Sequence, residues 1–171
     1  EKYRVSRDRI RSMALVHEKL YESENLSLID FGDYVKSLTN SLNMSYNPDN
    51  SRINMKIEVA EGTGMFKIET AIPCGLILNE MLSNCFKYAF PDESKGNVDV
   101  FFGSAEKKGK HPAFKLEVKD DGIGIPETID IDTAETLGFQ LITMLSDQLN
   151  GDLVVDRKKG TGFSLTFIER N

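Results

Sequence analysis

Tryptophan is absent from the 171 residues, and cysteine, histidine and proline are scarce at two, two and five. Cys74 and Cys85 make no disulfide framework. They lie eleven residues apart, close to three helical turns, so they can share one buried face but cannot bond along it. Free core thiols suit a reducing compartment, here the cytoplasm. No apolar run approaches the ~18 residues of a membrane helix, and the first residues carry no signal-peptide pattern. Positive charge is also short: 21 Lys+Arg against 27 Asp+Glu leave a formal net charge of −6. That excludes a general nucleic-acid binder, because no basic face could release enough counterions. It leaves room for a small anion held by a metal and backbone N–H groups. Wholesale disorder is excluded by a composition of 40% hydrophobic and 28% charged residues. A chain of this length buries roughly 70% of its unfolded surface, so its core needs no staples.

What is present is periodicity. In residues 7–21 the apolar positions are Ile10, Met13, Ala14, His17, Leu20 and Tyr21, which predicts an amphipathic helix with Arg9, Arg11, Glu18 and Lys19 outside the stripe. Residues 23–30 read as a connection ending at Asp30, an N-cap for a second helix striped by Phe31, Tyr34, Val35, Leu38 and Leu42. Both stripes look exposed in a chain this short, which predicts self-association. After the turn at residues 47–50 the period falls to two: Ile53, Met55, Ile57 and Val59 predict a half-buried strand. A turn at 61–64 leads toward a long helix with Pro73 in its first turn, ending near Ala89 and stopped by Phe90-Pro91-Asp92.

Residues 98–102 and 114–118 read as strands with a polar connection at 105–112. A glycine-rich turn and an irregular acidic stretch at 129–136 follow. Residues 137–149 form a further helix closed by Asn150-Gly151, and strands at 152–156 and 163–168 flank a turn at 158–162. The fold class is α/β, an α+β sandwich: a mixed, largely antiparallel sheet with helices on one face. A short helical segment, residues 1–46, precedes the domain at 47–171.

Three clusters carry chemistry. In the long helix Glu80, Asn84, Lys87 and Tyr88 stand at i, i+4, i+7 and i+8, a polar line on an otherwise apolar element. Asp120-Asp121-Gly122-Ile123-Gly124 ends an apolar strand, where glycine lets backbone approach a ligand and a carboxylate can accept from an amino group. Thr136-Leu137-Gly138-Phe139 heads a helix whose dipole favours phosphate, and Gly160-Thr161-Gly162 precedes the last strand. Taken singly, these are a solvated helix face, a plain turn and a helix start.

In this order and spacing they resemble the four nucleotide-binding boxes of the ATP-binding domain shared by sensor histidine kinases, heat-shock ninety-type chaperones, gyrase B and mismatch-repair ATPases. The resemblance covers about residues 51–170. The runs Leu78-Asn79-Glu80-Met81-Leu82-Ser83-Asn84 and Leu137-Gly138-Phe139-Gln140-Leu141 are similar to sensor histidine kinases of the branch related to the HWE group. Residues 9–21 resemble the second dimerisation helix of that branch.

The resemblance implies ATP and Mg²⁺ as cofactors and transfer of the γ-phosphoryl group to a histidine, for relay to an aspartate of a response regulator receiver domain. It implies a homodimer in the intact protein. Asp120 would accept the adenine amino group, with Gly122 and Gly124 closing backbone over the purine. Asn84 would bind Mg²⁺, Lys87 a phosphate, and Tyr88 would lie by the base or ribose. Gly138 would cradle phosphates, Thr161 and Gly162 would complete the wall, and Ile125 and Leu137 would also meet the nucleotide. Residues 125–136 would form a lid. Glu80 stands where the ATPase members activate water, implying metal-shell or proton-accepting duty.

The phosphate-accepting histidine of that family is expected upstream of Glu1, and neither His17 nor His111 takes its place, so this chain by itself should not autophosphorylate. Glu80 keeps a second chemistry open, ATP hydrolysis or transfer to serine. A non-catalytic dimerisation and docking module is the third reading.

Overall fold

The computed structural model describes residues 2–22, 28–48, 51–60, 62, 64–108, 111–126 and 137–169. Helix α1 spans Lys2–Glu22 and α2 spans Phe31–Tyr46. Asp30 caps α2 as expected, accepting from the Asp33 N–H at 3.0 Å. Strand β2 is Ile53–Val59, α3 is Ile68–Asn84, β4 is Gly96–Lys108 and β5 is His111–Asp120. Helix α4 at Leu137–Gln148 precedes β6 at Asp152–Asp156 and β7 at Gly162–Ile168. Two short strands, β1 at Ile29–Asp30 and β3 at Met65–Phe66, make an antiparallel ribbon that the sequence reading assigned to connections. Two residues are too few to display a period.

The main sheet runs β2-β4-β5-β7-β6, with β2 parallel to β4 and the other neighbours antiparallel. The expected mixed, largely antiparallel sheet is therefore present. Alternation leaves one sheet face buried through Val98, Val100, Phe102, Leu116, Val118, Phe163, Leu165 and Phe167. Against it lie Ala71, Cys74, Ile77, Leu78 and Met81 of α3 and Ile142 of α4. Phe66 sits among Phe31, Phe102, Phe114 and Phe167 at ring-centroid distances of 4.8 to 5.9 Å. Such rings contribute packing energy beyond their buried area.

Four expectations are corrected. Pro73 is inside α3, its sixth residue, because α3 begins at Ile68. The N–H groups of Thr70 and Ala71 turn back to Lys67, and Pro73 then withholds one bond in the second turn. The polar connection at 105–112 is mostly ladder, since pairing continues to Lys108↔His111. The α2 stripe is covered: Phe31, Tyr34 and Val35 are fully buried. In α1 the packed face is the other one, with Asp8, Ser12 and Val16 buried while Ile10 is 67% exposed. The acidic stretch at 129–136 lies outside the described residues.

Two element ends bear on the site. α3 continues into one wide π-helical turn, Cys85–Ala89, which shifts the register of the side chains beyond Asn84. α4 ends with Asn150 at a φ of 48° and the Gly151 N–H on the Ser146 carbonyl, so asparagine rather than glycine takes the left-handed position.

Candidate functional site

The end of β5, the π turn after α3 and the start of β7 form the walls of a small open cleft. Its floor is Asp120, the last residue of β5 and 6% exposed. The Asp120 Oδ1 accepts from the Gly122 N–H at 3.0 Å and the Thr161 N–H at 3.1 Å. The Cys85 thiol donates to Oδ2 at 3.4 Å. Burial pushes the Asp120 carboxyl above the ordinary aspartate value, and the two N–H donors and the thiol hold that rise in check. The Cys85 thiol is pushed well up by burial and then by the Asp120 charge, so it stays protonated and donates.

Asp121 next door has the opposite environment. It accepts from the Asn97 backbone N–H and the Asn97 side-chain amide, both at 2.6 Å, and these bonds lower its pKa. Asp121 thus fastens the end of β5 to the start of β4 while Asp120 faces the cleft. Backbone packing does the rest. A side chain on Gly122 would collide with the Ala89 carbonyl, which instead accepts the Ile123 N–H at 2.9 Å. Gly124 and Gly160 both take positive φ, 75° and 69°, where their backbones meet.

Of the residues singled out from sequence, Asn84, Tyr88, Asp120, Gly124, Ile125 and Thr161 line this cleft. Tyr88 is 63% exposed at its mouth. Gly138 is near it, over Glu80 and Asn84 of the helix. A Cβ there would lie 3.1 Å from the Glu80 Oε2 and 3.9 Å from the Asn84 Oδ1. Gly122 and Gly162 support the walls from behind, one on Ala89 and the other paired with Lys119 and Asp156. Lys87 is half-buried and outside the lining, and Leu137 is 64% exposed. Glu80 is 2% exposed and gripped by Arg9 of α1.

Sequence reasoning missed Phe139 and Phe163, which give the cleft its apolar sides, and Cys85, read only as a core thiol. Phe139 was visible within Leu137-Gly138-Phe139, but nothing in its spacing separates a core ring from a ligand wall. Among the described residues there is no cluster of three or more histidine, cysteine or acidic side chains fit to hold a metal. An apolar slot with one oriented carboxylate suits a flat heteroaromatic ring that carries an amino group.

Comparison with known proteins agrees with that geometry. Residues 1–46 match a family described as Histidine kinase, and residues 69–171 match the family described as Histidine kinase-, DNA gyrase B-, and HSP90-like ATPase. The chain is 31% identical over 135 residues to the Blue-light-activated histidine kinase 2 of Erythrobacter litoralis, covering 79% of this chain and 36% of that protein. It is 26% identical over 159 residues to the Sensor histidine kinase PdtaS of Mycobacterium tuberculosis, covering 90% of this chain and 30% of that one. It spans about a third of the length of these curated relatives. The solved histidine kinase domain of the Erythrobacter litoralis EL346 blue-light activated histidine kinase shares the fold, with a TM-score of 0.82 at 24% identity over 95% of this chain and 74% of that one. Four motifs in order, the sheet that positions them and a family match over more than half of the chain lead to one assignment: this protein belongs to the histidine kinase-, DNA gyrase B- and HSP90-like ATPase family.

Proposed function

We propose that residues 47–171 bind ATP as the catalytic part of a sensor histidine kinase, and that residues 1–46 belong to its dimerisation and phosphotransfer region. In the intact protein the γ-phosphoryl group passes to a histidine and on to the aspartate of a receiver domain. That protein works as a homodimer in the cytoplasm. The observation that carries the reading is Asp120, a buried acceptor fixed at the floor of an apolar cleft. An adenine amino group would donate to it, and Ile125 and Phe163 would hold the ring. A site built to accept a hydrogen bond rejects a base that offers none, because the buried acceptor is then left unpaired.

Asn84 and Gly138 would hold the phosphates. Mg²⁺ fits there only as an ion carried by the phosphates, since Asn84 supplies one neutral oxygen and Glu80 is engaged by Arg9. Bound in this way, it neutralises phosphate charge. Lys87 and Tyr88 complete the approach from the π turn; the lid expected at residues 125–136 lies, beyond Pro126, outside the described residues. The chain positions the donor, and the acceptor comes from elsewhere.

The test is thermal unfolding with and without Mg-ADP, in wild type and Asp120→Asn. Ligand at a hundred times its Kd adds about 2.7 kcal/mol, a rise of roughly 5–10 °C for a chain of this size. A rise in wild type that disappears in Asp120→Asn supports the reading. A wild type indifferent to millimolar nucleotide refutes it.

A further inference from the structure

Among its described residues, helix α1 meets the rest of the protein through polar side chains together with Leu15 and Val16, and one of the polar contacts ends at Glu80 beside the candidate nucleotide site. Arg9 reaches Glu80, 71 residues away in sequence. Its Nε donates to Oε1 at 2.6 Å and its Nη2 to Oε2 at 2.8 Å, the fork-to-fork geometry that matches a guanidinium to a carboxylate. The Asn79 amide adds a bond to Oε1 at 3.2 Å. Both Glu80 oxygens are therefore engaged, and Oε2 lies under Gly138 and close to Asn84.

The surrounding contacts are of the same kind. Ser12 pairs with the Tyr34 hydroxyl at 2.9 Å, the Tyr46 hydroxyl donates to Asp8 at 2.9 Å, and Lys19 meets Asp33 at 2.7 Å. Val16 is the one fully buried apolar side chain among those described in α1. Polar groups that pair across an interface regain water when it opens, so such a contact separates at modest net cost. An apolar contact of the same extent does not.

We infer that Arg9 is a latch on the nucleotide site: while α1 is docked, Arg9 occupies Glu80, and withdrawal of α1 releases that carboxylate toward the cation and phosphates held over Asn84 and Gly138. This rests on the nucleotide reading given above. Coupling of this kind is reciprocal. If Mg-nucleotide draws on a free Glu80, it favours undocked α1, and removal of Arg9 favours Mg-nucleotide.

The experiment is calorimetric titration of the 171-residue chain with ADP, with Mg²⁺ and with a chelator, in wild type, Arg9→Gln and Arg9→Gln/Glu80→Gln. Hydrogen exchange of the α1 amides is followed in wild type. Arg9→Gln binds Mg-ADP about 5- to 10-fold tighter, with metal-free ADP unchanged, and the double variant loses the gain. Mg-ADP, and not ADP alone, speeds exchange in α1. Arg9→Gln strands a buried carboxylate, so Arg9→Lys is run beside it. A lysine keeps the charge but holds one oxygen at a time, giving a gain of about 2-fold.

Mg-ADP affinity that is unchanged or weaker in both Arg9 variants overturns the latch, as does slower exchange in α1. Absence of any ADP binding in wild type refutes the nucleotide reading and the latch with it. Binding that ignores Arg9 refutes the latch alone.

Discussion

Toward the sheet, α3 buries Cys74, Ile77, Leu78 and Met81 against β-strand side chains; toward α1, its neighbourhood offers Glu80, with Tyr34 and Tyr46 of α2 alongside. The first junction is held by apolar area and close packing, which water cannot replace. The second is held by hydrogen bonds and charge, which water can replace in large part. One helix thus carries a permanent attachment on one side and a releasable one on the other. The difference teaches where to expect motion: between α1 and the domain, and not within the sheet layer.

The largest effect comes from the permanent side. Phe66→Ala removes the ring at the centre of the aromatic cluster and costs about 3–5 kcal/mol, read as a lower denaturant midpoint. Full retention of the midpoint would mean that the rings fill space without holding it.

Next is Asp120, where stability and binding should part company. Its pKa is raised, so the stability it contributes is full below the ordinary value of 3.8 and is lost as pH rises through its folded pKa. For Asp121 the pKa is lowered, so its contribution is present above 3.8 and is lost as pH falls through its folded value below that. On acidification Asp120 protonates first, and nucleotide affinity falls while the fold persists. Further acidification then loosens the join between β4 and β5. Titrating Mg-ADP affinity and the unfolding midpoint on one pH series checks this order, and simultaneous loss would contradict it.

The releasable side gives smaller numbers. Tyr34→Phe removes the hydroxyl that meets Ser12 and costs about 1 kcal/mol. Lys19→Met breaks an ion pair whose aspartate is 54% exposed, with a cost below about 0.5 kcal/mol that fades with added salt. Chemical denaturation of both variants at low and high salt separates the two contacts. A Lys19→Met cost larger than that of Tyr34→Phe would reverse the assignment of strength.

Periodicity made most of the fold legible in sequence, and it did so where elements were long. The alternation in Ile53, Met55, Ile57 and Val59 located β2, and the Asp30 cap located the start of α2. The ribbon of Ile29–Asp30 with Met65–Phe66 was invisible because pairing between distant dipeptides leaves no local pattern. In α1 the reading chose the apolar stripe as the packed face, whereas the domain takes Asp8, Arg9 and Ser12. Hydrophobicity predicts burial only when the partner is apolar, and here, beside the apolar contact of Leu15 and Val16, the partner is a carboxylate and two tyrosine hydroxyls. At the site, Asp120, Asn84 and Thr161 were legible because their motifs place backbone and side chain together. The grip of Arg9 on Glu80 was not, since nothing local ties a residue in α1 to one in α3.

The donors that orient Asp120 come from both sides of a long gap in sequence. Gly122 is two residues away, but Thr161 belongs to the turn before β7, and Glu169 just beyond β7 accepts the Lys67 N–H at the head of α3. As the chain leaves the ribosome, β2, α3, β4 and β5 therefore exist before their pocket does. β7 must pair with β5, a non-local pairing of the slow kind, before the carboxylate is held from both sides. Nucleotide capture would then mark the last step of folding, and a newly made chain would stay blind to ATP until its sheet is complete.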